Sequence, residues 1–158
     1  MEPSGGSLRV QRKDCADDPS GSAGPLVVRF QGKHHPANRW TEGLQLGAIK
    51  AIYARGSTAW VAGERGLQLF DGQRFRDVVP SGGGAFGSVS GVLQLDDGSL
   101  WLNAYRGIIR VSPAAVSKLI AGVGAAEYLV FDAYDGLSGA TQQTHPFPTL
   151  IQATDGKL

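Results

Sequence analysis

Three groups of side chains have the types that reaction or metal chemistry uses. The first is the doublet His34-His35, with His145 far downstream. Adjacent residues in an extended segment point to opposite sides, so a doublet chelates poorly, and no Asp, Glu or Cys stands at a helpful spacing. They read as solvated loop histidines. The second is Asp14, Asp17 and Asp18. A calcium loop needs alternating oxygen ligands, a glycine turn and a distal Glu, which are not all present. This group reads as a solvated charge run. The third is Asp96-Asp97, which has the form of a carboxylate pair for general acid–base work. Both residues fall in a Gly-containing turn, where Asp bonds its own backbone, and the expectation is structural. Ser88 and Ser90 make no recognisable nucleophile arrangement with the histidines. The glycine-rich stretch 82–87, GGGAFG, lacks the Lys-Ser/Thr ending and the following helix of a phosphate loop, and reads as a flexible connection. No catalytic residue, metal or cofactor is expected.

The elements that would have to position any site are short strands. The chain has 158 residues, 23 of them glycine, with 42% hydrophobic and 18% charged residues and a formal net charge of +1. That composition suits a globular fold with many tight turns, and no basic stripe points to nucleic acid. Cys15 is the only cysteine, which excludes an internal disulfide. The opening MEPSGGSLRVQRKD has no apolar core and does not read as a signal peptide. No apolar run approaches the roughly 18 residues that span a bilayer.

Residues 1–25 are rich in Gly, Ser, Pro and Asp and read as loosely ordered. Leu26 to Gly32 is the first convincing strand. From residue 48 the text becomes periodic, with segments near 48–54, 58–63, 67–71 and 74–79 separated by Gly-containing turns, the pattern of antiparallel hairpins. VSGVLQLDDGSLWLNAYRGIIRV, over 89–111, aligns without a gap to the first unit, within 48–79. Trp60 then pairs with Trp101, Arg65 with Arg106 and Gly66 with Gly107, a period of 41 residues. A period of about 40–45 residues with four strands is a β-propeller blade signature. A partial third copy is placed in 127–158, where LIQATDGKL aligns with VLQLDDGSL and matches Asp155-Gly156 to Asp97-Gly98. The extra length before it holds a short helix near 112–122, opened by Ser112-Pro113 as N-cap and first helical residue. The expected architecture is all-β: about three blades of four-stranded antiparallel sheets in an incomplete ring.

DDGSLWLNAYRGIIRV resembles the two-component regulator propeller repeat, roughly Asp-x-x-Gly-x-Leu-Trp-[Ile/Val]-Gly-Thr-x-x-Gly-Leu-x-Arg. WVAGERGLQLF is a less complete copy, with Ala62-Gly63, like Asn103-Ala104, replacing the Gly-Thr. YDGLSGATQQTHPFPTLIQATDGKL resembles the family's late segment, whose last repeat opens DGKLW. The resemblance covers residues 26–158. It implies a sensor region of a bacterial histidine-kinase-type receptor, extracytoplasmic, with the output domain outside this chain; as written, without a signal peptide, the chain would be cytoplasmic. It also implies a domain continuing past Leu158, where the repeat's tryptophan is due.

Repeat proteins carry binding residues on variable tips. The tips here are Glu64-Arg65 and Tyr105-Arg106. Arg65, Tyr105 and Arg106 are the candidate ligand surface: Arg to engage carboxylates or sugar hydroxyls, Tyr to stack on a sugar ring. The plain alternative is that the arginines solvate a turn or pair with a neighbouring acid. The repeat frame is Trp60, Gly66, Asp97, Gly98, Trp101, Gly107, Asp155 and Gly156. The reading is a non-catalytic ligand-sensing module for a small molecule or oligosaccharide, whose ring is completed by further blades or a second copy. Its alternatives are a propeller lyase and a self-associating structural protomer.

Overall fold

The computed structural model describes residues 7–12, 26–31, 43–138, 141, 143 and 149–153. His34, His35, His145, Asp14, Asp17, Asp18, Asp155 and Gly156 lie outside the described residues. The described part is mostly β, with two four-stranded antiparallel sheets, a two-stranded pair and one short helix.

Part of the segment 1–25 pairs with the first strand expected from the sequence. Strand β1, Ser7–Arg12, pairs antiparallel with β2, Leu26–Gln31. Leu8 and Val10 alternate with Arg9 and Gln11 in the strand period, and the register sets them opposite Phe30 and Val28.

The first sheet runs β3 Ile49–Arg55, β4 Thr58–Gly63, β5 Gly66–Phe70 and β6 Phe75–Asp77, in chain order. The second runs β7 Val89–Gln94, β8 Leu100–Ala104, β9 Gly107–Val111 and β10 Tyr128–Phe131. Of the partial copy placed in 127–158, the strand Tyr128–Phe131 belongs instead to the second sheet, where it pairs with β9. Helix α1, Pro113–Ile120, lies in the β9–β10 connection, and its length disguises the correspondence of β10 to β6. Ser112 caps the helix, its Oγ accepting from Ala115 N at 3.3 Å.

The gapless alignment also needs one adjustment. The β3–β4 hairpin turns on Gly56-Ser57, whereas β7–β8 turns through Asp96, Asp97 and Gly98. Gly98 has φ +87 and donates to Leu95 O at 3.0 Å, the geometry of a three-residue hairpin loop with a left-handed glycine. So the second and third strands correspond at 41 residues, but the first strands correspond at 40. Tyr53 opposite Trp60 answers Leu93 opposite Trp101. Both first strands carry a bulge at equivalent places, between Ile49 and Ala51 and between Val89 and Gly91.

One core lies between the sheets. Trp60 and Ala62 of β4 and Leu67 and Leu69 of β5 meet Leu100, Leu102 and Ala104 of β8 and Ile109 and Val111 of β9. The residues 41 positions after Trp60 and Ala62 are Trp101 and Asn103. In a strand they alternate with Leu100, Leu102 and Ala104, so they occupy the other face of the second sheet. The repeats thus stack head to tail, unlike face on unlike face. Helix α1 contributes Ala115, Val116 and Leu119 to the same core, beside Leu69 and Val78 of the first unit. Stretch 82–87, expected to be a loose connection, is pinned: Phe86 is buried edge-on against Tyr128, centroids 5.3 Å apart.

Candidate functional site: the hairpin rim

The equivalence at 41 residues puts the β4–β5 and β8–β9 tips on one rim of the stack. Glu64-Arg65 and Tyr105-Arg106 form those tips, each followed by a glycine at positive φ, +131 at Gly66 and +140 at Gly107. A β-carbon at Gly107 would collide with the Phe131 carbonyl, so this position requires glycine both for conformation and for space. The backbone of each tip is tied down. Arg65 N donates to Leu46 O at 3.0 Å, and Tyr105 N to Ser88 O at 2.9 Å. The side chains face solvent: Arg65 and Arg106 are exposed, and Tyr105 is 74% exposed. Among the described residues neither arginine has a carboxylate within ion-pair distance. The alternative of pairing with a neighbouring sheet's acid is therefore not what the described residues show.

Asp96 and Asp97 do not act together. Asp97 accepts from Ser99 N at 2.8 Å and Ser99 Oγ at 2.6 Å. Those bonds, the hydroxyl's first, hold its carboxyl below the ordinary carboxylate value despite the opposing effect of burial, with help from Arg110. Asp96 instead reaches the other sheet, 3.3 Å from Arg55 Nη2. Both serve the turn and the seam between sheets. Among the described residues no three His, Cys, Asp or Glu side chains gather where they could hold a metal.

Trp101 frames a second feature. Its ring is half-buried, stacked on Phe131 at 6.0 Å and 15°, with the Arg110 guanidinium 5.7 Å from its centroid. Its Nε1 donates to Ser99 Oγ at 3.1 Å. The segment Thr149–Leu150 begins to cover this same face, close against Gly91, with Thr149 Oγ1 3.1 Å from Ser90 Oγ.

A polar cluster behind the Tyr105 tip was not foreseen from sequence. Lys50, the bulged residue of β3, donates to Ser88 Oγ at 2.7 Å and to Gln143 O at 2.9 Å. Its signal was a lone cation within an otherwise apolar strand, AIKAIYA. Nothing in the sequence pointed to Gln143. No family model matches the chain, and no curated protein or solved structure matches it.

Proposed function

We propose that the chain is a non-catalytic ligand-sensing module built of propeller-type blades, as its repeat resemblance implies. The observation that carries this reading is the head-to-tail stacking of the two sheets through Trp60. A two-fold sandwich of duplicated sheets would bury like faces together, and both indoles in one interior. Here Trp60 is in the core while its counterpart Trp101 lies on the other face of its sheet, stacked on Phe131. That arrangement propagates: each sheet presents to the next the face its predecessor presented to it, which is how blades continue around a ring. The ligand surface is the rim of Arg65, Tyr105 and Arg106, and the module belongs to the extracytoplasmic side of a bacterial receptor.

The test is a two-dimensional NMR titration of the full chain with a library of saccharides and small metabolites. Ligand-dependent shifts gathered at residues 64–66 and 104–107, without product formation, support the reading. Turnover of any library member, or shifts confined elsewhere, overturns it.

A second reading, a self-associating protomer, is favoured by the half-covered Trp101–Phe131 stack, with Phe131 37% exposed. Light scattering across concentrations distinguishes the two. A discrete dimer that Trp101→Ala dissociates supports the protomer; a monomer at all concentrations rejects it.

A further inference from the structure

A cavity of about 150 Å³ lies at the margin where α1 ends against the first sheet. Leu69, Val78 and Leu119 give it apolar walls, and Arg76, Gly122 and Gly124 line it beside them. All of its lining residues are described. A space of that size holds a molecule of about six heavy atoms. Glycine keeps it open. A β-carbon at Gly122 would collide with Arg76 Nη1, while one at Gly124 would meet nothing within 4 Å, so the space continues outward there.

Arg76 supplies the polar handle. A guanidinium carries five N–H donors. Among the described residues one aligned hydrogen bond uses them, from Nη2 to Ile120 O at 2.9 Å. Asp71 Oδ2 lies 3.2 Å from Nε, yet Nε makes no aligned hydrogen bond. Nη1, which lies over Gly122, has no partner among the described residues. Strand alternation decides which charges face the cavity. Arg76 pairs with Leu69 and shares its side of the sheet. Asp77 also borders the cavity, but it pairs with Gln68, and its carboxylate turns to the other side, where Oδ1 accepts from Gln68 Nε2 at 2.7 Å. A cation with unused donors thus stands against apolar walls, the combination that suits a short carboxylate.

We infer that this cavity binds a short-chain aliphatic monocarboxylate, its carboxylate on Arg76 Nη1 and its hydrocarbon tail against Leu69, Val78 and Leu119. The carboxylate takes donors that the protein leaves unused, through charge-assisted hydrogen bonds, and the tail leaves water. Arg76 belongs to β6 of the first sheet, whereas Leu119 and Gly122 belong to α1 and its exit, in the connection that serves the second. The ligand therefore bridges the two parts that the Arg76–Ile120 bond already joins. The site shares no residue with the Arg65–Tyr105–Arg106 rim and does not rest on it.

Three probes separate the contributions: butyrate has the charge and the tail, acetate the charge with a shorter tail, and butyramide the same tail without the charge. In NMR titrations of the full chain, butyrate gives saturable shifts at the Arg76 side chain and at Val78, Leu119, Gly122 and Gly124, with a Kd of about 1 mM. Acetate, shorter by two methylenes, binds about tenfold more weakly. Butyramide loses about tenfold or more relative to butyrate, and Arg76→Gln weakens butyrate to a similar degree. Should that variant fail to fold, the comparison of butyrate with butyramide on the wild-type chain decides. Equal binding of those two, or no saturable butyrate shift at the cavity, overturns the inference. If butyrate acts at the cavity while saccharides leave the rim silent, this site stands and the rim reading falls; the reverse pattern sinks this site alone.

Discussion

Trp60 Nε1 donates to Gln94 Oε1 at 3.2 Å, so the most buried indole of the first sheet is satisfied by a side chain of the second. The bond spans the seam, and the ring around it lies in the shared core. Trp60→Ala empties that space and leaves Gln94 Oε1 without its donor. The expected loss is about 3–5 kcal/mol in urea unfolding. Trp101→Ala, at a half-covered position, is expected to lose about 1–2 kcal/mol. Equal losses at the two sites would remove the distinction between core and outer face.

The two tip glycines differ in surroundings despite equivalent positions. At Gly66 the nearest atom to an added β-carbon is Ala85 Cβ at 3.6 Å, an ordinary contact, whereas at Gly107 it is the Phe131 carbonyl, which cannot move without parting β9 from β10. Gly66→Ala is expected to cost about 1–2 kcal/mol, from backbone strain alone. Gly107→Ala should cost measurably more, and hydrogen exchange should quicken along residues 128–131.

Acid should weaken the fold through two carboxylates. Burial pushes Asp71 up, but the backbone N–H groups of Arg74 and Gln73 and the guanidiniums of Arg76 and Arg74 outweigh it, leaving Asp71 below its ordinary value. Asp97 is lowered by Ser99. A carboxyl with a depressed folded-state pKa stabilises at neutral pH, and that contribution disappears as pH falls through the folded value. Unfolding midpoints in urea should therefore drop from about pH 4 downward. The double variant Asp71→Asn, Asp97→Asn should be less stable at neutral pH and show a shallower acid decline.

Arg65→Ala, Tyr105→Ala and Arg106→Ala should leave thermal stability nearly unchanged, within about 0.5 kcal/mol each, because the side chains are exposed. If the rim is the ligand surface, combining them abolishes the ligand shifts of the wild-type chain. Retained binding in the triple variant would move the site elsewhere.

Strands and turns were legible because glycine marks each hairpin at a recurring place and the indoles keep phase with it. Trp60 and Trp101 made the repeat visible, and Ser112-Pro113 the helix start. What escaped belongs to pairing rather than to residue type. Arg-Gly-Ser and Asp-Asp-Gly look alike as turn signals, yet one loop is a residue longer, and only the register of Tyr53 and Leu93 reveals it. Tyr128–Phe131 looked like a beginning because α1 separates it from the sheet it closes. The importance of Lys50 depends on a bulge and on a partner 93 residues away, and neither leaves a local mark in the sequence.

Arg76 of β6 donates from Nη2 to the carbonyl of Ile120 at 2.9 Å, while its Nε lies 3.2 Å from Asp71 Oδ2. One guanidinium thus bolts the end of α1, which belongs to the second unit, onto the rim strand of the first. The helix also packs Val116 and Leu119 into the core that the two sheets share, so it is held at both its end and its buried face. Parting the two sheets along that margin must therefore break this contact first.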